Sequence, residues 1–157
     1  MTRKAPLWHY LLFSLSAILA DRATKYLVLT VCRDSCSLTP FLTIEPSINR
    51  GISWGIFSSV PGAYLWLVSL LVISITIGLA AYAVQRLQAG KPIWAELLVL
   101  SGSISNIFDR FVYGGVIDFI VLSHKQFAWP VFNVADICIV VGIFLMVLEV
   151  YRREWNA

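Results

Sequence analysis

The sequence has little charge and few of the residues on which soluble catalytic sites are usually built. Asp, Glu, Lys and Arg make up 13% of the 157 residues, about half of the share of roughly 25% that is usual. Hydrophobic types make up 59%, and the mean hydropathy is +0.78. A soluble globule of this length has too little core to hide so much apolar surface. The composition therefore excludes a soluble enzyme domain, a disordered chain and a coiled coil, and it indicates a chain surrounded by lipid.

Other scarcities exclude further classes of function. The net charge of +3 is small and dispersed, so we expect no nucleic-acid partner. No His-Glu-x-x-His motif is present, which argues against a zinc peptidase. Cys32 and Cys36 lack neighbouring ligands in the sequence that would complete a zinc site; in an outer loop they are free to form a disulfide, a question that the sequence leaves open. We expect no metal and no cofactor.

Long uncharged stretches predict four membrane crossings. Residues 51–85 contain no Asp, Glu, Lys or Arg, and the apolar run at 63–84 is long enough to cross a bilayer core of about 30 Å. The other crossings are interrupted by a few acids. The four expected helices cover about 7–28, 63–84, 92–108 and 130–150, and with an outer element at about 33–61 they form a single membrane domain, 1–157.

Lys and Arg residues predict the orientation, because they concentrate in cytoplasmic loops. Six of them lie densely at the two ends of the chain and between the second and third spans: Arg3, Lys4, Arg86, Lys91, Arg152 and Arg153. We therefore expect both termini in the cytoplasm. The alternative is a cleavable signal peptide ending at Ala20, although Ile18 fits a cleavage site of small residues poorly.

The fold class expected is an all-α membrane protein with a small β-rich element on its extracytoplasmic side. Residues 33–61 are rich in Ser, Thr, Pro and Gly and contain short apolar stretches, a texture typical of strands and turns rather than of a span. Asn49 and Gly51 mark a tight backbone feature in this element, or only a plain turn.

Two acids in apolar surroundings are the candidates for chemistry, since an ionisable residue in a membrane is costly. Asp118 lies in an extended, β-branched segment after the third span, and Asp136 is expected about 10 Å below the outer end of the fourth helix. Asn133 precedes Asp136 by three residues, so the two side chains are expected to share a helix face. The alternatives are an ordinary interface acid for Asp118 and an interhelical polar clamp for Asp136.

Two neighbouring carboxyls in an apolar place share one proton, so one acts as a general base on water while the other donates to the carbonyl oxygen. This is the chemistry of aspartic peptidases. Among the supporting groups, Asn106 and Asp109 share a helical face and Arg110 is able to neutralise a local acid. Asp21 and Lys25 are spaced i,i+4 and are able to pair.

The motifs, taken together, resemble those of lipoprotein signal peptidase, the type II signal peptidase of bacteria, over nearly the whole chain. In chain order they are Asp21-Arg22-Ala23-Thr24-Lys25, Asn49-Arg50-Gly51, Asn106-Ile107-Phe108-Asp109-Arg110, Val116-Ile117-Asp118-Phe119 and Phe132-Asn133-Val134-Ala135-Asp136. Two stretches depart from the family pattern. Ser105 stands where the family usually has glycine, which is expected to limit close helix approach, and Ile52-Ser53-Trp54 replaces a run of small residues and Phe.

The resemblance implies an intramembrane aspartic endopeptidase of the bacterial inner membrane, with its active site toward the extracytoplasmic face. Asp118 and Asp136 carry over as the catalytic pair, Asp21 and Lys25 as structural polar residues, and Asn49, Asn106, Arg110 and Asn133 as polar residues around the site. The implied substrates are prolipoproteins cut before a diacylglyceryl-modified cysteine, and the implied inhibitor is the cyclic peptide globomycin. We expect a monomer in contact with membrane lipid.

Two other functions remain open from the residues themselves. A small proton-coupled transporter also uses acids within the membrane, and it is expected to hold its key acid in the middle of a span. A structural or assembly subunit would use the same acids only to clamp helices together.

Overall fold

The computed structural model describes residues 6–50 and 63–155, and over these residues it is mostly helical with one small antiparallel sheet. The helices are α1 (Leu7–Val31), α2 (Ala63–Gln88), α3 (Trp94–Tyr113) and α4 (Val134–Trp155). The strands are β1 (Cys36–Thr39), β2 (Leu42–Asn49), β3 (Val116–His124) and β4 (Phe127–Ala128). Helices combined with a small sheet agree with the predicted fold class.

The distribution of side chains is that of a protein in lipid. Two helical segments of the described chain, Leu65–Gln88 and Val134–Trp155, are long and apolar enough to cross a membrane, each with a mean hydropathy of 2.4. Large apolar side chains such as Leu67 and Val140 are exposed, whereas Lys25 and Glu96 are almost completely buried. Polar groups inside and apolar groups outside are typical of helices that pack against one another within a bilayer.

All four helices end a few residues beyond the expected bounds, and the end of α3 and the start of α4 differ for identifiable reasons. α3 continues to Tyr113 and ends at Gly114, which has the left-handed φ of +67° that suits a glycine after a helix. α4 begins at Val134, four residues after the expected start at 130. Phe132 is still extended, because it forms a bridge with Ile120 of β3. The region before α4 therefore belongs to the sheet side of the molecule.

The sheet joins two parts of the chain that the sequence analysis treated separately. Its strand order is β1-β2-β3-β4, with each neighbouring pair antiparallel. β1 and β2 come from the expected outer element, and the rest of that element, residues 51–62, lies outside the described residues. A disulfide joins Cys32 to Cys36 and so links the end of α1 to β1. The pairing of β2 with β3 sets Asn49 opposite Val116 and Ser47 opposite Asp118.

Arg86 connects three elements at the end of the helices opposite the sheet. Its side chain forms ion pairs with Glu96 at 2.9 Å and with Glu149 at 2.7 Å, and it donates a hydrogen bond to the carbonyl of Pro92. Glu96 is fully buried. This cluster fixes the turn between α2 and α3 against the last turns of α4.

The close approach of α3 and α4 depends on Gly102. A Cβ added there would overlap the carbonyl oxygen of Ala135 and lie 2.8 Å from Ile139 Cγ1. The expectation that Ser105 limits close approach is wrong for this pair of helices, because the Ser105 hydroxyl is directed at Asp21 on α1. Ser101 and Ser103, on either side of Gly102, are also buried.

We predict that Gly102→Ala destabilises the protein, because its methyl group overlaps the backbone of α4. Overpacking of this kind typically costs about 1–3 kcal/mol. Gly78 is the matched control, since an added Cβ there meets nothing within 4 Å. Thermal unfolding in detergent micelles should show a lower midpoint for Gly102→Ala and an unchanged or higher one for Gly78→Ala. Equal midpoints for the two variants would contradict the prediction.

Candidate active site

Asp118 lies on β3 with its carboxylate almost fully buried, at 3% exposure. Two amide groups donate to it. Asn49 Nδ2 donates to Oδ2 at 2.9 Å, and Asn133 Nδ2 donates to Oδ1 at 2.7 Å. Asn49 is the last residue of β2, so the pairing of β2 with β3 is what brings its amide to Asp118. Both oxygens of this carboxylate are therefore held by neutral donors.

Asp136 lies in the first turn of α4, and it is tied reciprocally to the residue before the helix. Asn133 Oδ1 accepts the backbone N–H of Asp136 at 2.8 Å, and Asp136 Oδ2 accepts the backbone N–H of Asn133 at 3.2 Å. This arrangement is a capping box, which satisfies N–H groups that a helix start leaves unpaired. The prediction that Asp136 lies well inside the helix and shares a helix face with Asn133 is therefore wrong.

Two asparagine amides connect Asp118 with Asp136. Asn106 Nδ2 donates to Asp136 Oδ1 at 2.7 Å, and Asn133 Nδ2 donates to Asn106 Oδ1 at 3.2 Å as well as to Asp118. One continuous hydrogen-bonded path thus runs from one carboxylate to the other through Asn133, with Asn106 beside it. These contacts bring together five of the predicted site residues, namely Asn49, Asn106, Asp118, Asn133 and Asp136.

Lys25 is the buried cation behind this path. Its Nζ lies 2.8 Å from Asp21 Oδ2, 2.7 Å from Asp109 Oδ2 and 3.1 Å from Asn106 Oδ1. Because an ammonium only donates, Asn106 must turn its oxygen toward Lys25 and its NH₂ toward Asp136. Lys25 therefore sets the orientation of the amide that holds Asp136.

Asp109 contacts residues that support Asp118 and Asp136 rather than those two acids themselves. It is fully buried and accepts from Arg22 Nη1 at 2.6 Å, from Lys25, and from the backbone N–H of Ile117 at 3.2 Å. Ile117 immediately precedes Asp118, so this last bond fixes the start of β3 to the end of α3. Asp109 thereby helps to position Asp118 through the backbone.

The remaining predicted residues have different places. The guanidinium of Arg110 donates to the carbonyl of Asn106 in its own helix at 3.2 Å. Gly51 and the departure at residues 52–54 lie outside the described residues. Sequence reasoning gave no role to Arg22 or Ser47, yet Arg22 pairs with Asp109 and Ser47 donates to the backbone carbonyl of Asp118. The spacing Asn133-x-x-Asp136 was the available signal for the capping box.

The surroundings of Asp118 favour its protonated form. Burial, helped by the negative charge of Asp136, raises the pKa of Asp118 to about 6, against the lowering effect of the hydrogen bonds from Asn49 and Asn133. In the described part of the chain the ion pairs of this region go to Asp21 and Asp109. Asp118 and Asp136 are thus left with amide and backbone donors, which allows a proton to be exchanged near neutral pH.

Asp136 also faces a groove of about 470 Å³. Its walls are formed by the segment before α4 and by the outward side of that helix, namely Trp129, Pro130, Val131, Phe132, Ile137, Ile139, Val140 and Val141. The groove is apolar apart from Asp136. Among the described residues there is no group of three His, Cys, Asp or Glu side chains that could hold a metal ion.

We predict that Lys25→Met strongly destabilises the protein, because it removes the buried one of the two cations that Asp21 and Asp109 share and leaves only the partly exposed Arg22 to neutralise both carboxylates. Breaking a buried charge cluster in this way costs about 3–5 kcal/mol. Lys91→Met is the control, since Lys91 is exposed. Folded yield and thermal unfolding in detergent should fall for Lys25→Met alone. A Lys25→Met protein as stable as the control would show that the cluster is not what holds the site.

The sequence and the fold both have relatives. The family model described as Signal peptidase (SPase) II matches residues 13–152. The lipoprotein signal peptidase of Pseudoalteromonas translucida is 36% identical over 149 residues, which cover 92% of this chain and 89% of that protein. The lipoprotein signal peptidase of Burkholderia mallei is 34% identical over 147 residues, covering 92% of this chain and 88% of that protein.

Two solved structures, both described as bacterial membrane enzymes determined by the in meso method, share the fold. One has a TM-score of 0.79 at 26% identity and covers 99% of this chain and 95% of its own. The other has a TM-score of 0.73 at 25% identity and covers 96% and 97%. These similarities extend from end to end and include every motif that forms the site, and so the chain belongs to the signal peptidase II family.

Proposed function

We propose that this chain is an intramembrane aspartic endopeptidase that removes the signal peptide from prolipoproteins, with Asp118 and Asp136 as its catalytic pair. Membership of the signal peptidase II family supports removal of a signal peptide from prolipoproteins. The observation that carries the catalytic assignment is the hydrogen-bonded path between the two carboxyls, which reaches Asp118 through Asn133 and Asp136 through Asn106.

The two acids divide the work of hydrolysis between them. The ionised carboxylate takes a proton from a water molecule as the water oxygen attacks the carbonyl carbon of the scissile peptide. The protonated carboxyl gives its proton to the carbonyl oxygen, which yields a neutral tetrahedral diol. When the diol collapses, the C–N bond breaks, the nitrogen accepts a proton from the carboxyl that took it from water, and the amine leaves. One hydroxyl of the diol returns its proton to the other carboxylate as the product carboxylic acid forms, so the pair is left again with one proton. Asn49, Asn106 and Asn133 hold the carboxylates in place for these transfers.

The substrate proposed carries a diacylglyceryl group on the cysteine that follows the cleavage site. The apolar groove beside Asp136 supports a lipid-linked substrate, because acyl chains need an apolar surface next to the reacting acid. Globomycin is the inhibitor we expect to compete for this site. The protein is proposed to act as a monomer among membrane lipids.

We propose that all four helices cross the bacterial inner membrane, with both termini in the cytoplasm and the site near the extracytoplasmic face. α2 and α4 pass the test of length and hydropathy by themselves. α1 and α3 carry the charged residues Asp21, Lys25 and Asp109, whose side chains are buried against one another rather than directed toward lipid. Lys91, Arg152 and Arg153 lie at the end opposite the sheet, as cytoplasmic basic residues do.

Rival chemistries find less support. A proton-coupled transporter is expected to hold its acid in mid-span, whereas Asp136 is in the first turn of α4. The letters Gly51-Ile52-Ser53-Trp54-Gly55 match the Gly-x-Ser-x-Gly pattern of serine hydrolases, and they lie outside the described residues. A histidine base for such a serine has no support, because His9 stacks on Trp8 near the start of α1 and His124 lies at the end of β3.

We predict that Asp118→Asn and Asp136→Asn each abolish cleavage of a lipidated precursor while the protein still inserts into the membrane. An amide of nearly the same shape keeps the packing but cannot exchange the proton. Asp34→Asn, at an exposed position, should cleave as the wild type does. In vitro cleavage with purified variants, normalised to the inserted protein, measures this. Wild-type turnover by either Asp118→Asn or Asp136→Asn would sink the catalytic assignment.

The pH dependence of kcat/KM should reflect the protonation of Asp118. If the shared proton is needed for turnover, kcat/KM falls as the pH rises through a value near 6, where the pKa of Asp118 lies. Asn49 donates to the ionised form and so lowers this pKa; Asn49→Ala removes that bond and should move the descending limb to higher pH. A limb that stays in place, or moves to lower pH, in Asn49→Ala would contradict the prediction.

A further inference from the structure

We propose that Ser105 is a positioning residue for the site, acting through Asp21 on the first turn of α4. The inference rests on the proposed function, since it concerns how Asp136 is held for catalysis. Ser105 is 1% exposed, and its hydroxyl donates to Asp21 Oδ2 at 2.6 Å. Among the described residues it forms no hydrogen bond with either proposed catalytic acid, so any effect it has on turnover must pass through another residue.

The second link of this path is a backbone contact. Asp21 Oδ1 accepts the backbone N–H of Ala135 at 2.9 Å. Ala135 lies in the first turn of α4, where N–H groups lack partners within the helix, and a carboxylate there is also stabilised by the helix dipole. Ala135 immediately precedes Asp136. Two hydrogen bonds, from Ser105 to Asp21 and from the backbone of Ala135 to Asp21, therefore connect α3 to the backbone next to Asp136.

The other donors to Asp21 do not replace this connection. Lys25 and Arg22 also bind Oδ2, at 2.8 and 3.0 Å, but both belong to α1, as Asp21 does. Among the described residues, the side chain that binds Asp21 from α3 is Ser105. The Ser105 hydroxyl on α3 restricts rotation of the Asp21 carboxylate. It thereby fixes the position of Asp21 Oδ1, which accepts the backbone N–H of Ala135.

Two variants separate the hydroxyl of Ser105 from its bulk. Ser105→Ala removes only the hydroxyl, and Ser105→Gly removes the whole side chain. Ser101 supplies the matched control: it lies one turn earlier on α3 at 2% exposure, and its hydroxyl has no hydrogen-bond partner among the described residues.

The experiment measures kcat and KM for cleavage of a diacylglyceryl-modified precursor peptide by the purified full chain in detergent micelles. For Ser105→Ala we expect kcat to fall by about tenfold, the effect of one lost hydrogen bond to a carboxylate. KM should stay unchanged, because Ser105 is buried away from the groove. Ser101→Ala should keep both constants. Both constants are expressed per folded enzyme, with the folded fraction measured for each variant by size-exclusion chromatography and thermal unfolding. This is needed because a loss of packing alone lowers the amount of folded enzyme, and with it the apparent kcat, at an unchanged KM.

Several results would overturn the proposal. A kcat at the wild-type level in Ser105→Ala removes the positioning role, and so does an equal fall in Ser101→Ala. If Ser105→Ala fails to insert, Ser105→Gly decides in its place, with the same expected fall in kcat. Failure of the proposed function has a different signature, since it is seen as a wild-type protein that does not cleave the precursor or as full activity in the Asp118→Asn variant.

Discussion

The burial of one ammonium group is the constraint on which the rest of the site depends. Lys25 lies in the interior of a protein surrounded by lipid, at 2% exposure, and it is tolerable there only because Asp21 and Asp109 neutralise it. The cluster draws α1 against α3 and leaves one donor of Lys25 for Asn106. The hydrogen bond from Lys25 fixes the orientation of the Asn106 amide, and that amide donates to Asp136. The ammonium group of Lys25 therefore determines how Asp136 is held, although the two residues are not in direct contact.

Much of this arrangement is readable from the sequence, and the parts that are not have physical reasons. Apolar run lengths and the spacing of charges predict the helices, and the pairing of Asp21 with Lys25 follows from i,i+4 spacing. The start of α4 was misjudged because Pro130 is a good first-turn residue, whereas the bridge between Phe132 and Ile120 keeps that segment extended. Such a bridge links positions distant in sequence, and no local pattern encodes it.

Contacts between strands, such as that of Asn49 with Asp118, are also not predictable from local sequence patterns. Asn49 reaches Asp118 because β2 and β3 pair with Ser47 opposite Asp118 and Asn49 opposite Val116, and a register is set by two strands at once. The sequence marks each residue as polar in apolar surroundings, but not which polar groups meet. Ser105 is the opposite case: its departure from the family pattern was visible, but its consequence was assigned to helix spacing when the hydroxyl in fact binds Asp21.

The pairing of Asp21 with Lys25 inside one helix has a consequence for how the protein is made. α1 is the first helix of the described chain, and most partners of its charges lie on α3 and α4, which are synthesised later. The two residues neutralise each other one turn apart, so α1 by itself has a smaller uncompensated charge than its ionised residues would otherwise give it. The same pair then forms part of the network that joins α1 to α3 and α4.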